Sequence, residues 1–326
     1  MNLLVTGGAG YIGSHMVKYL LQHGYGVTTL DNLSTGFREA VVGGNFVRGD
    51  LQDTQLLHHL FSHHKFDGVF HFASSCLVKE SVDKPAQYYR NNVVHTHNLL
   101  DAMLSHGCPY IVFSSTAATF GESTYSPMDE YHPQQPINPY GRSKLMVEHM
   151  LADYHRAYGL KSVSLRYFNA AGADPQGNLG ERHNPETHLI PLILQTASGR
   201  KEALSLFGDD YPTPDGTAIR DYIHVYDLCA AHLLALQYLK EQGGCTAFNL
   251  GNGHGFSVQE ILTVANQVTG QQIKVIHHPR RPGDPAVLVA DARRAHTILG
   301  WCPHYSTIET MMRHAWAWEL KQSQGQ

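Results

Sequence analysis

Apolar positions in the first half of the chain gather into short runs that alternate with stretches of helical period. Asn2–Thr6, Gly26–Leu30, Asn45–Val47, Gly68–Phe72 and Tyr110–Ser114 read as strands. Tyr11–His23 reads as a helix ended by Gly24, and Pro85–His106 shows helical periodicity. Tyr140–Tyr158 reads as a further helix, followed by a strand at Ser162–Arg166. Strands separated by helices over this length imply βαβ units: a parallel sheet with helices on both faces.

After Asn169 the pattern loosens. Gly172–Pro185 and Gly208–Gly216 are rich in Gly, Pro, Asn and Asp and read as long loops, which in compact proteins often serve function. Helical patterns return at His224–Leu239, Ser257–Gly270 and Ser306–Trp318, and a strand at Ala247–Leu250 is expected to rejoin the main sheet. The chain has no repeat, low-complexity tract or linker, so a second lobe should pack onto the first.

Composition narrows the class. The chain has 326 residues, 42% hydrophobic and 16% charged, and fits a soluble globular protein able to bury a large core. A formal charge of −4 argues against a general nucleic-acid binder and leaves room for a small anion held by local arginines. No apolar run reaches the roughly 18 residues of a membrane span. A strand beginning at Asn2 leaves no room for a signal peptide. The five cysteines, Cys76, Cys108, Cys229, Cys245 and Cys302, are scattered, which suits free thiols in a reducing, cytoplasmic setting. The 23 histidines include adjacent pairs at 58–59, 63–64 and 277–278, but none follows a metal-binding spacing, so no metal is expected.

Thr6-Gly7-Gly8-Ala9-Gly10-Tyr11-Ile12-Gly13 follows a strand and opens a helix. That context turns a weak glycine pattern into a dinucleotide-binding signal. The glycines permit a tight turn and close approach of backbone to a pyrophosphate, and the helix N-terminus offers free N–H groups. Asp31 closes the second strand, where a carboxylate can accept from the adenosine ribose hydroxyls and repel a 2′-phosphate, so NAD is expected over NADP. Asp50-Leu51 follows the third strand; Asp50 either reaches toward adenine or caps the next helix.

Tyr140 and Lys144 stand four apart and so share a helix face. An ammonium beside a phenol favours the phenolate, so the sequence predicts a lowered tyrosine pKa and a base for a substrate alcohol. Phe113-Ser114-Ser115-Thr116-Ala117-Ala118 ends the fifth strand, and ligands bind beyond the carboxyl ends of such strands. Thr116 is therefore expected near Tyr140 and Lys144, either as a proton-handling hydroxyl or bonded to local backbone.

With these pieces in place, the chain resembles the extended short-chain dehydrogenase/reductase family, and within it the 4-epimerases of UDP-hexoses, over nearly its whole length. The resemblance rests on Gly7–Ser14, Asp31-Asn32, His71-Phe72-Ala73, Glu80-Ser81, Tyr88–Asn92, Phe113–Gly121, Tyr140–Lys144, Arg166–Asn169, Gly208–Tyr222 and Arg280–Asp284. It implies a Rossmann-type doubly wound parallel sheet with a smaller C-terminal α/β substrate lobe. NAD would bind residues 1–168, with 222–252 returning to that domain; 169–221 and 253–326 would hold a UDP-sugar. It implies interconversion of UDP-galactose and UDP-glucose by oxidation at C4 to a 4-keto sugar and re-reduction from the opposite face, with NAD tightly bound.

The roles follow by position. Tyr140 matches the catalytic base, Lys144 its electrostatic and ribose-binding partner, and Thr116 the hydroxyl that bonds the sugar oxygen. Gly7, Gly10, Tyr11, Ile12, Gly13, Asp31, Asn32, Asp50, Leu51, Phe72, Ala73 and Asn91 match the cofactor site, and Phe168 a position near the nicotinamide. Asn169, His188, Leu189, Arg220, Arg281 and Asp284 match positions that hold UDP; guanidinium forks suit diphosphate oxygens independently of any resemblance. A homodimer is also implied, with the helices at 85–106 and 140–158 as candidate interface.

Three positions depart from the family pattern. Thr116 stands where serine is common and keeps the hydroxyl. Cys76 stands where some members carry lysine, which removes a positive charge near the cofactor. Leu288 stands where some carry tyrosine at the sugar pocket; it either admits an N-acetylhexosamine or simply packs the wall. A 4,6-dehydratase is excluded, because Ala117 and Ala118 occupy its acid and base positions and transfer no protons. A 4-epimerase of UDP-N-acetylglucosamine or a UDP-pentose, and an NAD-binding regulator without catalysis, remain as alternatives.

Overall fold

The computed structural model describes residues 1–281 and 284–324, so Pro282 and Gly283 of the Arg280–Asp284 segment, and the last two residues of the C-terminal lobe, lie outside the described residues. Thirteen strands are described: β1 (Asn2–Thr6), β2 (Gly26–Asp31), β3 (Asn45–Arg48), β4 (Gly68–His71), β5 (Tyr110–Thr116), β6 (Lys161–Tyr167), β7 (Asn169–Ala171), β8 (Leu204–Phe207), β9 (Ile219–His224), β10 (Cys245–Leu250), β11 (Gly255–Ser257), β12 (Val275–His278) and β13 (Val287–Leu288). Seven form one sheet in the order β10-β6-β5-β4-β1-β2-β3, all parallel. The order reverses between β1 and β4, and that switch point opens a crevice at the carboxyl ends of the strands. The doubly wound fold expected from the sequence is therefore present.

Burial on both faces explains why β1, β4 and β5 read as continuous apolar runs. On one face Leu3, Val5, Phe70 and Val112 pack with the helices Tyr11–Gln22 and Val225–Glu241 through Met16, Leu20, Leu228 and Leu236. On the other, Leu4, Val69, Ile111 and Phe113 meet Leu57 and Leu60 of the helix Thr54–His63, Leu99 and Met103 of His95–Ser105, and Val147 and Leu151 of Pro139–Tyr158. Pro85–His106 is not one helix: a π-type turn at Tyr89–Val94 interrupts it before His95–Ser105.

β10 joins β6 and extends the sheet after the chain has visited the second lobe. That lobe carries two small sheets. In one, β9 pairs with β7, β11 and β13; in the other, β8 pairs with β12. The helices Leu189–Ala197, Val258–Thr269 and Ile308–Gln324 bury its own core around Ile193, Leu206, Ile261 and Met311. Asn249 on β10 donates to the Met128 carbonyl at 2.9 Å, and Met128 bridges to Ala290, tying the lobe to the sheet edge.

Candidate active site

The glycine loop is shaped for backbone, not side chains. Gly7 has φ +72°, and a Cβ there would sit 2.5 Å from the Ala73 nitrogen. A Cβ on Gly13 would meet the Gly7 carbonyl oxygen at 2.1 Å. Gly10 caps the helix Tyr11–Gln22 without a side-chain bond, so the first amides of that helix face the crevice unoccupied by capping groups. The backbone folds this tightly only because Gly7 and Gly13 carry no Cβ, and the cradle it makes fits a pyrophosphate. Tyr11 anchors it by donating to the Gly172 carbonyl at 2.7 Å, and Ile12 packs at the core edge.

Asp31 ends β2 almost buried, accepting from the amides of Ala9 at 2.9 Å and Leu33 at 2.8 Å. Burial raises its carboxyl, and those two amides pull it back down. A carboxylate has about four acceptor sites, so ribose hydroxyls can still be received. Asp50 is used locally: it accepts from the Gln52 amide at 2.8 Å and from the Asn32 side chain at 2.6 Å. Neither bond caps the next helix: the N-cap of Thr54–His63 is Asp53, which accepts from the Leu56 amide at 2.9 Å, so the helix-capping reading of Asp50 is corrected. Leu51 is buried beside Leu30 and Leu57. Phe72 and Ala73 lie at the end of β4, Phe72 bonded through its amide to the Thr6 carbonyl at 3.0 Å. Asn91 donates to Ser75 at 3.1 Å.

The helix Pro139–Tyr158 begins with Asn138 accepting from the Gly141 amide at 2.8 Å and proline in the first turn. Gly141 lets that turn press on Ala117-Ala118: a Cβ would stand 2.2 Å from the Ala118 carbonyl oxygen. The approach brings the Tyr140 phenol against the Thr116 hydroxyl. Thr116 caps the turn Ala117–Thr119 by accepting from the Ala118 amide at 3.1 Å, as the backbone-bonded reading expects.

Lys144 is 2% exposed and donates to Ser74 Oγ and the Ser114 carbonyl, each at 2.9 Å, with its ammonium 4.8 Å from the Phe113 ring centroid. Burial lowers it to about 8. The expected fall in the tyrosine pKa is not what the protein shows: burial pushes the Tyr140 phenol well above its usual value, against the lowering contact with Thr116. The physical reason is desolvation of the phenolate; the hydrogen bonds of Lys144 go to Ser74 and Ser114 instead.

Two residues that the sequence reading missed hold this arrangement. Ser74 Oγ accepts a hydrogen bond from the Lys144 ammonium. Asn92, 2% exposed, donates to Ser143 Oγ at 2.9 Å and to the Ser75 carbonyl at 3.0 Å, and accepts from the Ser75 amide at 2.8 Å. It ties the loop after β4 to the helix of Tyr140. It lies in the Tyr88–Asn92 stretch of the resemblance, where only its neighbour Asn91 is given a role.

The second lobe closes the far side. Asn169 begins β7 in register with Tyr222. Arg220 on β9 pairs with Asp284 at 2.5 Å, and Leu288 lies in register with Arg220. Leu288 and Phe168 both pack on Ala117, Phe120 and Met128. Arg281 lies over the Phe207 ring, 4.0 Å from its centroid. His188 precedes the helix that starts at Leu189, and its imidazole is turned to Glu181 at 2.8 Å. Cys76 is exposed and brings no charge.

Residues 3–251 match the NAD dependent epimerase/dehydratase family. The chain belongs to that family. A UDP-glucose 4-epimerase of Halalkalibacterium halodurans is 54% identical over 325 residues, covering 100% of this chain and 97% of that one. The crystal structure of a UDP-glucose 4-epimerase from Brucella ovis in complex with NAD is 51% identical, with TM-score 0.94 and 97% of each chain covered. That of the Bifidobacterium longum enzyme in complex with NAD+ and UDP is 38% identical, with TM-score 0.95 over 100% of both chains. The family expected from the sequence is thus met by this epimerase/dehydratase, and the shared fold extends through both lobes. No described helix is long and apolar enough to cross a membrane.

Proposed function

We propose that this protein interconverts UDP-galactose and UDP-glucose, using NAD held in the crevice above β1 and β4. The observation that carries the reading is the placing of Thr116, which bonds the Tyr140 phenol, and of Lys144, fixed on the Ser114 carbonyl, at the carboxyl end of β5 beside a backbone cradle fit for a pyrophosphate. NAD, when bound, supplies the acceptor and donor of hydride at the sugar carbon. Thr116 orients the C4 oxygen by hydrogen bonding. Tyr140, as phenolate, takes the C4 hydroxyl proton and later returns it. Its phenol is raised in the protein alone, so the ionised form depends on positive charge at the site. Lys144 provides one such charge, fixed by Ser74 and Ser114.

Residues 1–168 and 222–252 serve NAD in this reading; 169–221 and 253–326 serve the UDP-sugar. Asn169, His188, Leu189, Arg220, Arg281 and Asp284 hold the nucleotide, whose remote binding energy keeps the 4-keto sugar in place while it turns over. Leu288 and Phe168 form the sugar wall. The protein acts in the cytoplasm as a homodimer through the helices at 85–106 and 140–158. Val94, Met146 and Tyr158, all exposed in the single chain, support that face.

The test is conversion of UDP-galactose by purified protein without added NAD, beside Tyr140→Phe. Wild type should produce UDP-glucose. The variant should lose about 10²- to 10⁴-fold in kcat, the usual weight of general base catalysis, and keep its NAD. An unchanged rate in the variant removes Tyr140 as the base. A UDP-N-acetylhexosamine turned over in preference to UDP-galactose shifts the substrate.

A further inference from the structure

We infer that the protein carries a binding site for one divalent transition metal of the zinc class, formed by Glu181, His183, Glu186 and His188. Folding brings one donor atom from each of the four to within 4.8 Å of every other. His188 Nδ1 stands 2.8 Å from Glu181 Oε1 and 3.3 Å from Glu186 Oε1. His183 Nδ1 stands 3.5 Å from Glu181 Oε1 and 3.3 Å from Glu186 Oε2. Tetrahedral zinc, with ligands at about 2.0–2.1 Å, separates its donors by about 3.3–3.4 Å. Side-chain rotations that draw the donors in from their 4.8 Å limit would close the set.

Charge points the same way. The Glu181 and Glu186 side chains are only 7% and 5% exposed. Among the described residues their ion-pair partners are these two histidines alone; the nearby Arg182 pairs with Glu39 and Arg200 with Glu319. Metal binding would displace the protons by which these histidines pair with the two buried carboxylates. The donors are also held in advance. Glu186 Oε1 accepts from the amides of Thr187 at 2.8 Å and His188 at 2.9 Å. The indole of Trp318 donates to the Glu181 carbonyl at 3.1 Å. Such outer bonds are what orient metal ligands. An ion has a way in, because Glu181 and His183 line a cavity with Phe37 and Pro191.

The site lies at the end of the loop that leads into the helix from Leu189, with its carboxylates near enough to Tyr11 of the glycine loop to act on its phenol, and it shares His188 with the residues proposed to hold the nucleotide. Its histidines belong to no adjacent pair and to no familiar motif, so sequence spacing gave no warning of it. A bound ion would fasten residues 181–188 into one rigid strap.

The NAD-loaded full-length protein, stripped with chelator and titrated with Co²⁺ alone, should take up one equivalent with the intense visible bands of tetrahedral cobalt. His183→Gln should weaken that binding by more than about 100-fold, beyond the usual loss from removing an outer partner. His59→Gln, which disrupts the surface pair His59 and His63, should leave it unchanged. X-ray absorption of the one-zinc wild type should show two imidazoles and no sulfur, an answer that does not depend on any variant folding. Absence of tetrahedral bands, bands that survive in His183→Gln, or an imidazole count other than two would each overturn the site and leave the four side chains as ion pairs.

Discussion

The carbonyl oxygen of Ala118 lies where the Cβ of any residue larger than glycine at 141 would have to go, 2.2 Å from that point. One missing methyl thus sets how closely the helix of Tyr140 approaches the strand end of Thr116. Because the obstructing atom is backbone, it has no rotamer by which to yield. Gly141→Ala is expected to push the helix away, at about 1–3 kcal/mol of overpacking. A displacement near 1 Å at the phenol would cost about 10²-fold in kcat. Thermal unfolding and steady-state rates, measured together, check both halves. A variant with full kcat would show that the approach is not required.

Gly7→Ala tests the cradle separately from the chemistry. The residue sits at φ +72°, and its Cβ would press on the Ala73 backbone at 2.5 Å. The left-handed conformation adds about 1–2 kcal/mol for an L side chain. The expected outcome is a folded protein that has lost NAD by at least about tenfold in affinity, which is about 1.4 kcal/mol. Cofactor released on denaturation, counted per chain, gives the answer, with circular dichroism as the check on folding.

What was legible in the sequence divides along the range of the interactions. β1 to β6 were readable because each is an apolar run punctuated by a periodic helix, and because the glycine loop and Tyr140–Lys144 are local patterns. β7, β11 and β13 span three, three and two residues, too short for any period to register. The helix Leu189–Ala197 was hidden behind a Gly- and Pro-rich loop. Ser74 and Asn92 make their deciding bonds 70 and 51 residues away, to Lys144 and Ser143. The sign of the Tyr140 shift needed burial, which a helix-face argument does not contain.

Lys144 should leave a mark on stability against pH. Burial lowers it from 10.5 to about 8. The unfolded chain therefore holds a proton that the folded one has released between those values, and stability rises with pH across that window. Below about pH 8 the cost of the buried ammonium is fully present. The NAD-free wild type should gain on Lys144→Met as pH goes from about 8 to 10.5, in denaturant titrations of both. If the difference between the two stays flat, burial does not depress the lysine.

Glu148 clamps the catalytic helix to the sheet. Its carboxylate accepts from Arg166 on β6, at 3.0 Å from Nε and 2.6 Å from Nη2, and from Ser115 on β5 at 2.5 Å. The two charged side chains are 8% and 7% exposed, so neither finds water if its partner is removed. Glu148→Gln should therefore destabilise by about 3–5 kcal/mol, the cost of an unpaired buried charge. Replacing both partners with apolar residues of similar volume, Glu148→Leu with Arg166→Met, should recover most of that loss, because no buried charge remains. Urea unfolding of the three proteins decides it. If the double variant is no more stable than Glu148→Gln, the cost lies in the lost bonds to Ser115 and in packing, and the stranded guanidinium is not its source.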